Sequence, residues 1–326
     1  MGMLHKGKLL DNWLEQELDE GEFKRMQSTF RHWVTADGNA GPTGMAGFKA
    51  EPNRYHLYIS GACPWAHRTV IFRKLKNLEK IIGLSKVEPD MLDHGWTFSD
   101  TGEHIDHLYA YKYMHQLYSK ADNNFTGQIS VPVLWDKKLN TIVNNESSEI
   151  IRMFNSAFNA YTDVKMDYYP DSLKNAIDNI NQPIYEHINN GVYRCGFATS
   201  QSAYEKAFNN LFDQLDQIEE LLSKQRYLLG DQITEADWRL FTTLIRFDVV
   251  YVGHFKCNLR RIADYANLSN YLKDLYQHPG IAETVDIETI KRHYYFSHST
   301  VNPSQIIPKG PDLYFDLAHD RATKFA

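Results

Sequence analysis

Residues 60–68 read SGACPWAHR and follow the alternating segment YHLYI at 55–59. The alternation predicts a β-strand, and apolar residues at helical spacing over 65–78 predict a helix directly after it. Proline is favoured at the first position of a helix, where its missing N–H costs no hydrogen bond, so a helix that starts at Pro64 makes Cys63 its N-cap. The sequence therefore predicts strand, turn and helix, with a cysteine at the turn.

Two interpretations of Cys63 follow from this position. The free N–H groups and the positive end of the helix dipole favour a thiolate, the form in which cysteine is a nucleophile. Free cysteine is also among the most often buried residue types, and buried cysteine is usually inert. Ala66 stands where a dithiol oxidoreductase has its second cysteine, so a reactive Cys63 needs an external thiol such as glutathione. This requirement predicts a mixed disulfide between the protein and glutathione.

Two further segments in the same half carry signals of ligand binding. ISVPVLW at 129–135 is rich in β-formers, but Pro132 excludes a regular central strand through it. A cis bond between Val131 and Pro132 would expose the backbone of Val131 to an extended ligand, whereas a trans bond would make this an ordinary loop. Glu146 and Ser147 start a predicted helix, where they either cap it or hold the ammonium and carboxylate groups of a ligand.

The chain of 326 residues, 43% of them apolar, is long enough to fill two cores. Its first fifty residues include the glycine-rich ADGNAGPTGMAGF, which predicts an irregular arm on the surface. Helical periodicity is nearly continuous from Leu173 to about Phe247, and a capping box is predicted at Thr234 and Asp237. The predicted organisation is an N-terminal arm over 1–50, an α/β domain over 51–158 and an all-helical domain with a C-terminal tail over 170–326.

Charge and composition exclude several classes of protein. A net charge of −6 without a long basic run argues against a nucleic-acid partner. No segment approaches about 18 consecutive apolar residues, and the N-terminus is too charged for a signal peptide. We therefore expect a soluble, cytoplasmic protein with no membrane partner. Cys63, Cys195 and Cys257 lack C-x-x-C spacing, which predicts reduced thiols and no metal site.

The conjunction of several motifs resembles one superfamily of enzymes. The strand, the CPWA helix start, VPVLWD, NESSEII and the TEAD box are together similar to the glutathione transferases. More narrowly, CPWAHR at 63–68, HGW at 94–96, NNGVYRCGFA at 189–198 and RHYY at 292–295 resemble the Xi class, the glutathionyl-hydroquinone reductases. The resemblance implies an α/β thioredoxin-like N-terminal domain, an all-α C-terminal domain, a substrate cleft between them and a homodimer.

The resemblance also implies roles for individual residues. Cys63 corresponds to the nucleophile, Tyr193 to the general acid, and Tyr251 and Tyr294 to tyrosines that hydrogen-bond the thiolate. Without the family, all three tyrosines would be interpreted as packing residues with a satisfied hydroxyl. Gln128 stands where the family pattern has a basic residue. The implied glutathione-binding residues are Trp96, Gln128, Ile129, Ser130, Val131, Glu146 and Ser147.

These residues predict the reduction of glutathionyl-hydroquinones through a mixed disulfide of Cys63, with release of oxidised glutathione. Glutathione is the expected co-substrate, aromatic glutathione thioethers are the expected substrates, and neither a metal nor a nicotinamide is required. A general glutathione thiol transferase or dehydroascorbate reductase would share Cys63 but need no aromatic proton donor. A non-catalytic ligand-binding protein of the same fold is the third alternative.

Overall fold

The computed structural model of the chain describes residues 2–10 and 18–326. It divides into two compact units. The first unit holds Met26–Asp167 and the described residues of Met1–Glu17, and the second holds Leu18–Arg25 and Tyr168–Ala326. The predicted N-terminal arm over 1–50 therefore contributes residues to both units.

The start of the chain is a hairpin that no pattern in the sequence predicts, whereas the glycine-rich segment 36–48 is irregular in the structure. Strand β1 (Gly2–His5) pairs antiparallel with β2 (Lys8–Leu10) across a turn at Gly7, whose φ of 75° favours glycine. On its other edge β1 pairs antiparallel with β7 (Gly127–Ile129). Leu4 is buried in this three-stranded sheet, and that burial of apolar surface explains why the segment folds onto the protein.

A second hairpin belongs to the other unit. Strands β3 (Leu18–Asp19) and β4 (Glu22–Phe23) pair antiparallel, and Gly21 in their turn has a φ of 84°. Phe23 is buried at its end. The alternation within these two strands is too short to be recognised in the sequence.

A mixed four-stranded sheet lies at the centre of the first unit. Its strands are β5 (Tyr55–Ile59), β6 (Gly83–Lys86), β8 (Val133–Asp136) and β9 (Thr141–Asn144). The order is β6-β5-β8-β9, with β5 parallel to β6 and antiparallel to β8. Every residue of β5 is buried, which confirms the predicted strand at 55–59 and places it in the core.

Two helices of the first unit start where the sequence predicts them, and a third lies in a segment without helical periodicity. α1 (Pro64–Leu75) follows β5 and packs against α3 (Ser147–Ser156), and α2 (Met114–Ala121) precedes β7. The peptide bond between Val131 and Pro132, which lies between β7 and β8, is cis, the first of the two alternatives that the sequence left open. The mixed sheet with its helices confirms the predicted α/β character of the N-terminal half.

The second unit is mainly helical from 174 to 297, which covers the segments of predicted helical periodicity, and the described residues 298–320 contain no helix. Its α-helices are α4 (Lys174–Pro183), α5 (Gly191–Gly196), α6 (Gln201–Lys224), α7 (Glu235–Arg246), α8 (Ala266–Tyr276), α9 (Ile287–Ser297) and α10 (Arg321–Lys324). Segments of π-helix at Ile184–Asn189 and Phe247–Tyr251 continue α4 and α7. Short 3₁₀ turns occupy Asn159–Tyr161, Ile262–Asp264 and Ala282–Thr284.

The predicted capping box of α7 is confirmed. The backbone N–H of Thr234 donates to Oδ2 of Asp237 at 2.8 Å, and both residues are fully buried. Asp237 also accepts from the backbone N–H of Leu228 at 2.9 Å and from the hydroxyl of Tyr271 at 2.8 Å. The box therefore ties α7 to the preceding loop and to α8. Within the described residues, no helix has the length and apolarity that crossing a bilayer requires.

Candidate active site

Cys63 occupies the predicted N-cap of α1. Its backbone is extended, with φ −73° and ψ 120°, and Pro64 takes the first helical position. The thiol is half-buried, and its Sγ lies 3.5 Å from the carbonyl oxygen of Val131, the residue before the cis proline. The side chain of Cys63 makes no capping hydrogen bond to the first turn of α1, all of which lies in the described part of the chain. The cysteine at the start of α1 and the cis turn before Pro132 thus meet.

Glu146 is the N-cap of α3, where its carboxylate serves the helix and stays ionised. Its Oε1 accepts from the backbone N–H of Ser148 at 3.0 Å, so the predicted capping role is confirmed. Burial alone would raise the pKa of Glu146. The N–H and hydroxyl of Ser148, followed by the charges of Arg68 and Arg31, outweigh burial and hold that pKa below its ordinary value.

Ser147 sits in the first turn of α3 beside a buried arginine of α1. Nη1 of Arg68 lies 3.5 Å from its hydroxyl, and Arg68 is 1% exposed. The guanidinium of Arg68 is also 4.5 Å from the ring of Trp65. A helix N-terminus, a hydroxyl and a guanidinium together form a site that suits a carboxylate.

The structure brings the segments 128–131 and 144–147 together through a residue that the sequence did not indicate. The hydroxyl of Tyr118 donates to the carbonyl of Ser130 at 2.9 Å and accepts from the backbone N–H of Ser130 and from Nδ2 of Asn145, each at 3.2 Å. Burial raises the pKa of Tyr118, so the phenol stays neutral. No local pattern marks Tyr118, because its role depends on where two distant loops meet.

The remaining predicted glutathione residues lie along β7 and the loop at 94–96. Ile129 and Val131 are buried, whereas Gln128 and Ser130 are half-buried. Trp96 is 3% exposed, and its carbonyl accepts from the first N–H of α2 at 2.9 Å. β1 runs beside both segments. A Cβ built on Gly2, its first residue, would lie 3.1 Å from Cδ1 of Ile129 and 3.7 Å from Cα of Gly95. 

The three predicted tyrosines form a hydrogen-bonded cluster in the helical unit. The hydroxyl of Tyr294 on α9 lies 2.6 Å from that of Tyr193 on α5 and 3.1 Å from that of Tyr251. Burial, then the neighbouring phenol of Tyr193, raises the pKa of both Tyr251 and Tyr294 well above the ordinary value, so these two stay protonated. The packing role is confirmed, and each hydroxyl finds its partner in another tyrosine.

Phe255 is the apolar centre of this cluster. Its ring lies 5.5 Å from the ring of Tyr193, 5.5 Å from that of Tyr251 and 5.7 Å from that of Tyr294. A Cβ at Gly196 would stand 2.1 Å from the same ring, so only glycine fits at the end of α5. Cys63 and the predicted glutathione residues lie in the first unit, and the tyrosine cluster lies in the second.

None of the three cysteines, all of which lie in the described residues, forms a disulfide, and Cys195 and Cys257 are buried. Among residues 2–10 and 18–326, no group of three His, Cys, Asp or Glu side chains is arranged to hold a metal ion.

Comparison with known proteins identifies the family. Residues 62–157 match the glutathione S-transferase N-terminal domain, and residues 201–274 match the glutathione S-transferase C-terminal domain. The Xi class glutathione transferase of Natrialba magadii superposes with a TM-score of 0.91 at 46% identity, covering 99% of this chain and 97% of that one. The chain belongs to the Xi class of glutathione transferases.

Other relatives of this Xi-class chain carry more specific names. It is 54% identical to the glutathionyl-hydroquinone reductase YqjG of Escherichia coli K12 over 100% of both chains. It is 49% identical to the glutathionyl-hydroquinone reductase PcpF of Sphingobium chlorophenolicum over 95% of this chain and 96% of that one. The glutathione-bound structure of YqjG superposes with a TM-score of 0.92 at 52% identity, covering 99% and 100% of the two chains. The predicted family and its two-domain fold class are thereby confirmed.

Proposed function

We propose that the protein reduces glutathionyl-hydroquinones to hydroquinones, with glutathione as co-substrate and oxidised glutathione as second product. The hydrogen-bonded cluster of Tyr193, Tyr251 and Tyr294 is the observation that carries this proposal. Cleavage of an aryl carbon–sulfur bond leaves a carbon that must accept a proton, whereas disulfide exchange protonates no carbon. Full-length identity of 54% and 49% to two enzymes named for this activity supports it.

The first half-reaction begins at Cys63. Its thiolate, favoured by the N-terminal end of α1, attacks the glutathionyl sulfur of the substrate. A sulfur–sulfur bond forms, the aryl carbon–sulfur bond breaks, and its electron pair passes to the aromatic carbon. Tyr193 supplies the proton to that carbon, and the neutral phenols of Tyr251 and Tyr294 remain donors toward the thiolate and toward Tyr193.

The second half-reaction restores the cysteine. A glutathione thiolate attacks the mixed disulfide, a new bond joins the two glutathione sulfurs, and Cys63 leaves as a thiolate. The proton that this glutathione gave up returns Tyr193 to its neutral form. Ala66 leaves no thiol on α1 that could resolve the mixed disulfide in place of glutathione.

Glutathione is held, in this proposal, by Trp96, by residues 128–131 and by Glu146 and Ser147. The ionised Glu146 takes the ammonium of the γ-glutamyl group. The start of α3, with the hydroxyl of Ser147, takes its carboxylate. The backbone of Val131 pairs with the cysteinyl part of glutathione beside Cys63. Gln128 contributes hydrogen bonds without a charge.

The proposal also includes domain limits at 51–158 and 170–326, a cytoplasmic location and a homodimer. The odd number of free cysteines supports a reducing compartment, and the resemblance to the Xi class supports the dimer. Sedimentation equilibrium at micromolar concentration tests the dimer.

Separate measurement of the two half-reactions tests the mechanism. We expect Cys63→Ala to abolish turnover and the glutathione adduct seen by intact-protein mass spectrometry, while Cys195→Ala keeps both. Tyr193→Phe should slow thioether cleavage by about 10²–10⁴-fold and leave resolution of the mixed disulfide nearly unchanged. Tyr204→Phe, which removes a phenol outside the cluster, is the matched control.

Three results would contradict the proposal. If Cys63→Ala still turns over the substrate, Cys63 is not the nucleophile. Equal rates of Tyr193→Phe and the native protein on the thioether, together with faster turnover of a disulfide or of dehydroascorbate, would assign a thiol transferase or dehydroascorbate reductase. Absence of any adduct on Cys63 would assign a non-catalytic ligand-binding protein.

A further inference from the structure

The hairpin β3–β4 brings a cation to the ring of Tyr193. Arg25 follows the hairpin directly, and its guanidinium carbon lies 4.7 Å from the centroid of the Tyr193 ring. The same guanidinium lies 5.4 Å from the ring of Phe23. Nε of Arg25 donates to Oδ1 of Asn190 at 2.8 Å, and Asn190 is the buried N-cap of α5, the helix that carries Tyr193. The guanidinium is therefore held over the ring by a contact to the tyrosine's own helix.

The hairpin is built against the helical unit at several points. The carbonyl of Gly21 accepts from the backbone N–H of Thr199 at 3.0 Å. Glu22 pairs with Lys206 of α6 at 2.7 Å. Phe23 is 2% exposed and stacks on Tyr193 with 6.3 Å between ring centroids. These contacts explain why the segment 18–25 belongs to the helical unit although its neighbours in sequence do not.

We propose that Arg25 is a positioning residue for proton transfer, which holds its charge over the ring of Tyr193 and stabilises the phenolate formed when that tyrosine protonates the aromatic carbon. A cation over an aromatic face is attracted by the electron density of the ring, and that density rises when a phenol loses its proton. The inference rests on the proposed role of Tyr193 as general acid. The proton goes to the aryl carbon as its bond to sulfur breaks, and the phenolate is neutralised by the proton that the incoming glutathione releases.

Two other tyrosines lie against Tyr193, one at its hydroxyl and one at its ring. Tyr294 of α9 lies 2.6 Å from its oxygen, and the ring of Tyr251 lies 6.2 Å from its ring. Arg246 at the end of α7 is fully buried, and its charge lowers the pKa of Tyr251 and Tyr294 against the larger effect of burial. Among the contacts of Tyr193, Arg25 therefore supplies a positive charge directly at the ring face.

The experiment measures the ionisation of Tyr193 itself. Replacing Tyr193 by 3,5-difluorotyrosine in the full chain brings the phenol's titration into the pH range of the folded protein, where ¹⁹F NMR follows it. Arg25→Gln should raise the titration midpoint by about one pH unit and slow thioether cleavage in the otherwise native protein by about tenfold. Arg25→Lys keeps the charge but loses the planar stacking. Its titration midpoint and cleavage rate should lie between those of the native protein and those of Arg25→Gln.

The matched control is Arg260→Gln. Arg260 also lies over a tyrosine of the helical unit, 5.0 Å from the ring of Tyr265, but outside the cluster. The substitution Arg260→Gln should leave the titration of Tyr193 and the rates of both half-reactions unchanged. If Arg25→Gln fails to fold by circular dichroism, Asn190→Ala replaces it, since that change frees the guanidinium and keeps the charge. The expected shift then has the same sign and is smaller.

The outcomes separate this inference from the proposed function. An unchanged midpoint in folded Arg25→Gln overturns the inference, whatever Tyr193→Phe does. A raised midpoint, with slower cleavage that difluorotyrosine at position 193 rescues, supports it. If Arg25→Gln raises the midpoint but Tyr193→Phe does not slow cleavage, Arg25 affects the ionisation of the ring and Tyr193 is not the general acid. Arg25 would then have no part in catalysis.

Discussion

Glu146 caps α3, and in the proposed function the same carboxylate binds the ammonium group of glutathione. Its Oε1 accepts from the N–H of Ser148 and closes the first turn of α3, while Oε2 accepts from the hydroxyl of Ser28 at 3.2 Å. The carboxylate is half-buried and carries a lowered pKa. Capping and ammonium binding therefore do not compete, because the carboxylate has more lone pairs than the cap uses.

Glu146→Gln separates the two roles. The amide oxygen still caps α3, but the negative charge is lost, so we expect glutathione affinity to fall about tenfold or more with the thermal midpoint nearly unchanged. Since the hydrogen bonds from Ser148 hold the pKa of Glu146 below its ordinary value, the native protein should keep its affinity to a lower pH than an ordinary glutamate would allow. Calorimetric titration with glutathione measures both effects.

Ser148→Ala is the control, because it removes a hydroxyl bonded to Glu146 and keeps the charge. Equal glutathione affinity of Glu146→Gln and the native protein at neutral pH would show that the carboxylate only caps the helix.

At the scale of elements, the short helix α5 is shaped by what packs against its two ends. Gly196 at its last position meets the ring of Phe255, where a Cβ would stand 2.1 Å away. Gly191 at its first position would bring a Cβ only to 3.7 Å from Leu211, an ordinary contact. The close approach at Gly196 lets α5 place Tyr193 beside the other phenols.

Alanine at these two glycines should have opposite effects. Gly196→Ala forces Phe255 out of the cluster and should cost about 1–3 kcal/mol of stability and slow thioether cleavage. Gly191→Ala should stabilise the helix by about 0.5–1 kcal/mol without changing cleavage. Urea denaturation and single-turnover kinetics measure the two. Similar stability of both variants would show that Phe255 relaxes without cost.

At the scale of the whole molecule, each unit buries a neutral histidine. His56 lies in β5 of the first unit, with Nε2 2.9 Å from the hydroxyl of Ser85. His254 lies in the second unit, with Nε2 3.1 Å from Nδ1 of His298. Burial lowers the pKa of both His56 and His254 from 6.5 to about 4. In both units the folded state thus resists a proton that the unfolded chain accepts.

Acid should therefore destabilise the protein before its carboxylates titrate. Above pH 6.5 these histidines are neutral in both states and have no effect. Between pH 6.5 and about 4 the unfolded chain binds protons that the folded chain excludes, so stability falls by up to about 1.4 kcal/mol per pH unit for each histidine. The urea midpoint as a function of pH measures this loss. His56→Gln, which keeps a hydrogen-bonding group near Ser85, should make the slope shallower; an unchanged slope would contradict the prediction.

Signals that act over a few residues were predictable. The start of α1 at Pro64 and the box of Thr234 and Asp237 depend on neighbouring residues, and the structure contains both, whereas the sequence left the cis bond before Pro132 open. The N-terminal hairpins were missed. Their strands are two to four residues long and hold because distant surfaces bury Leu4 and Phe23, which no local period reveals.

The sequence by itself determined the family, the two-domain fold class and the identity of Cys63 as the candidate nucleophile, since motif spacing and helix capping are local properties. Only the tertiary structure decided the contacts among the tyrosines. The hydroxyls of Tyr193 and Tyr294 bond although 101 positions separate them, and Arg25 reaches the same ring from the start of the chain. Such contacts arise from packing of buried apolar surface, which brings together residues whose separation in sequence carries no information about distance.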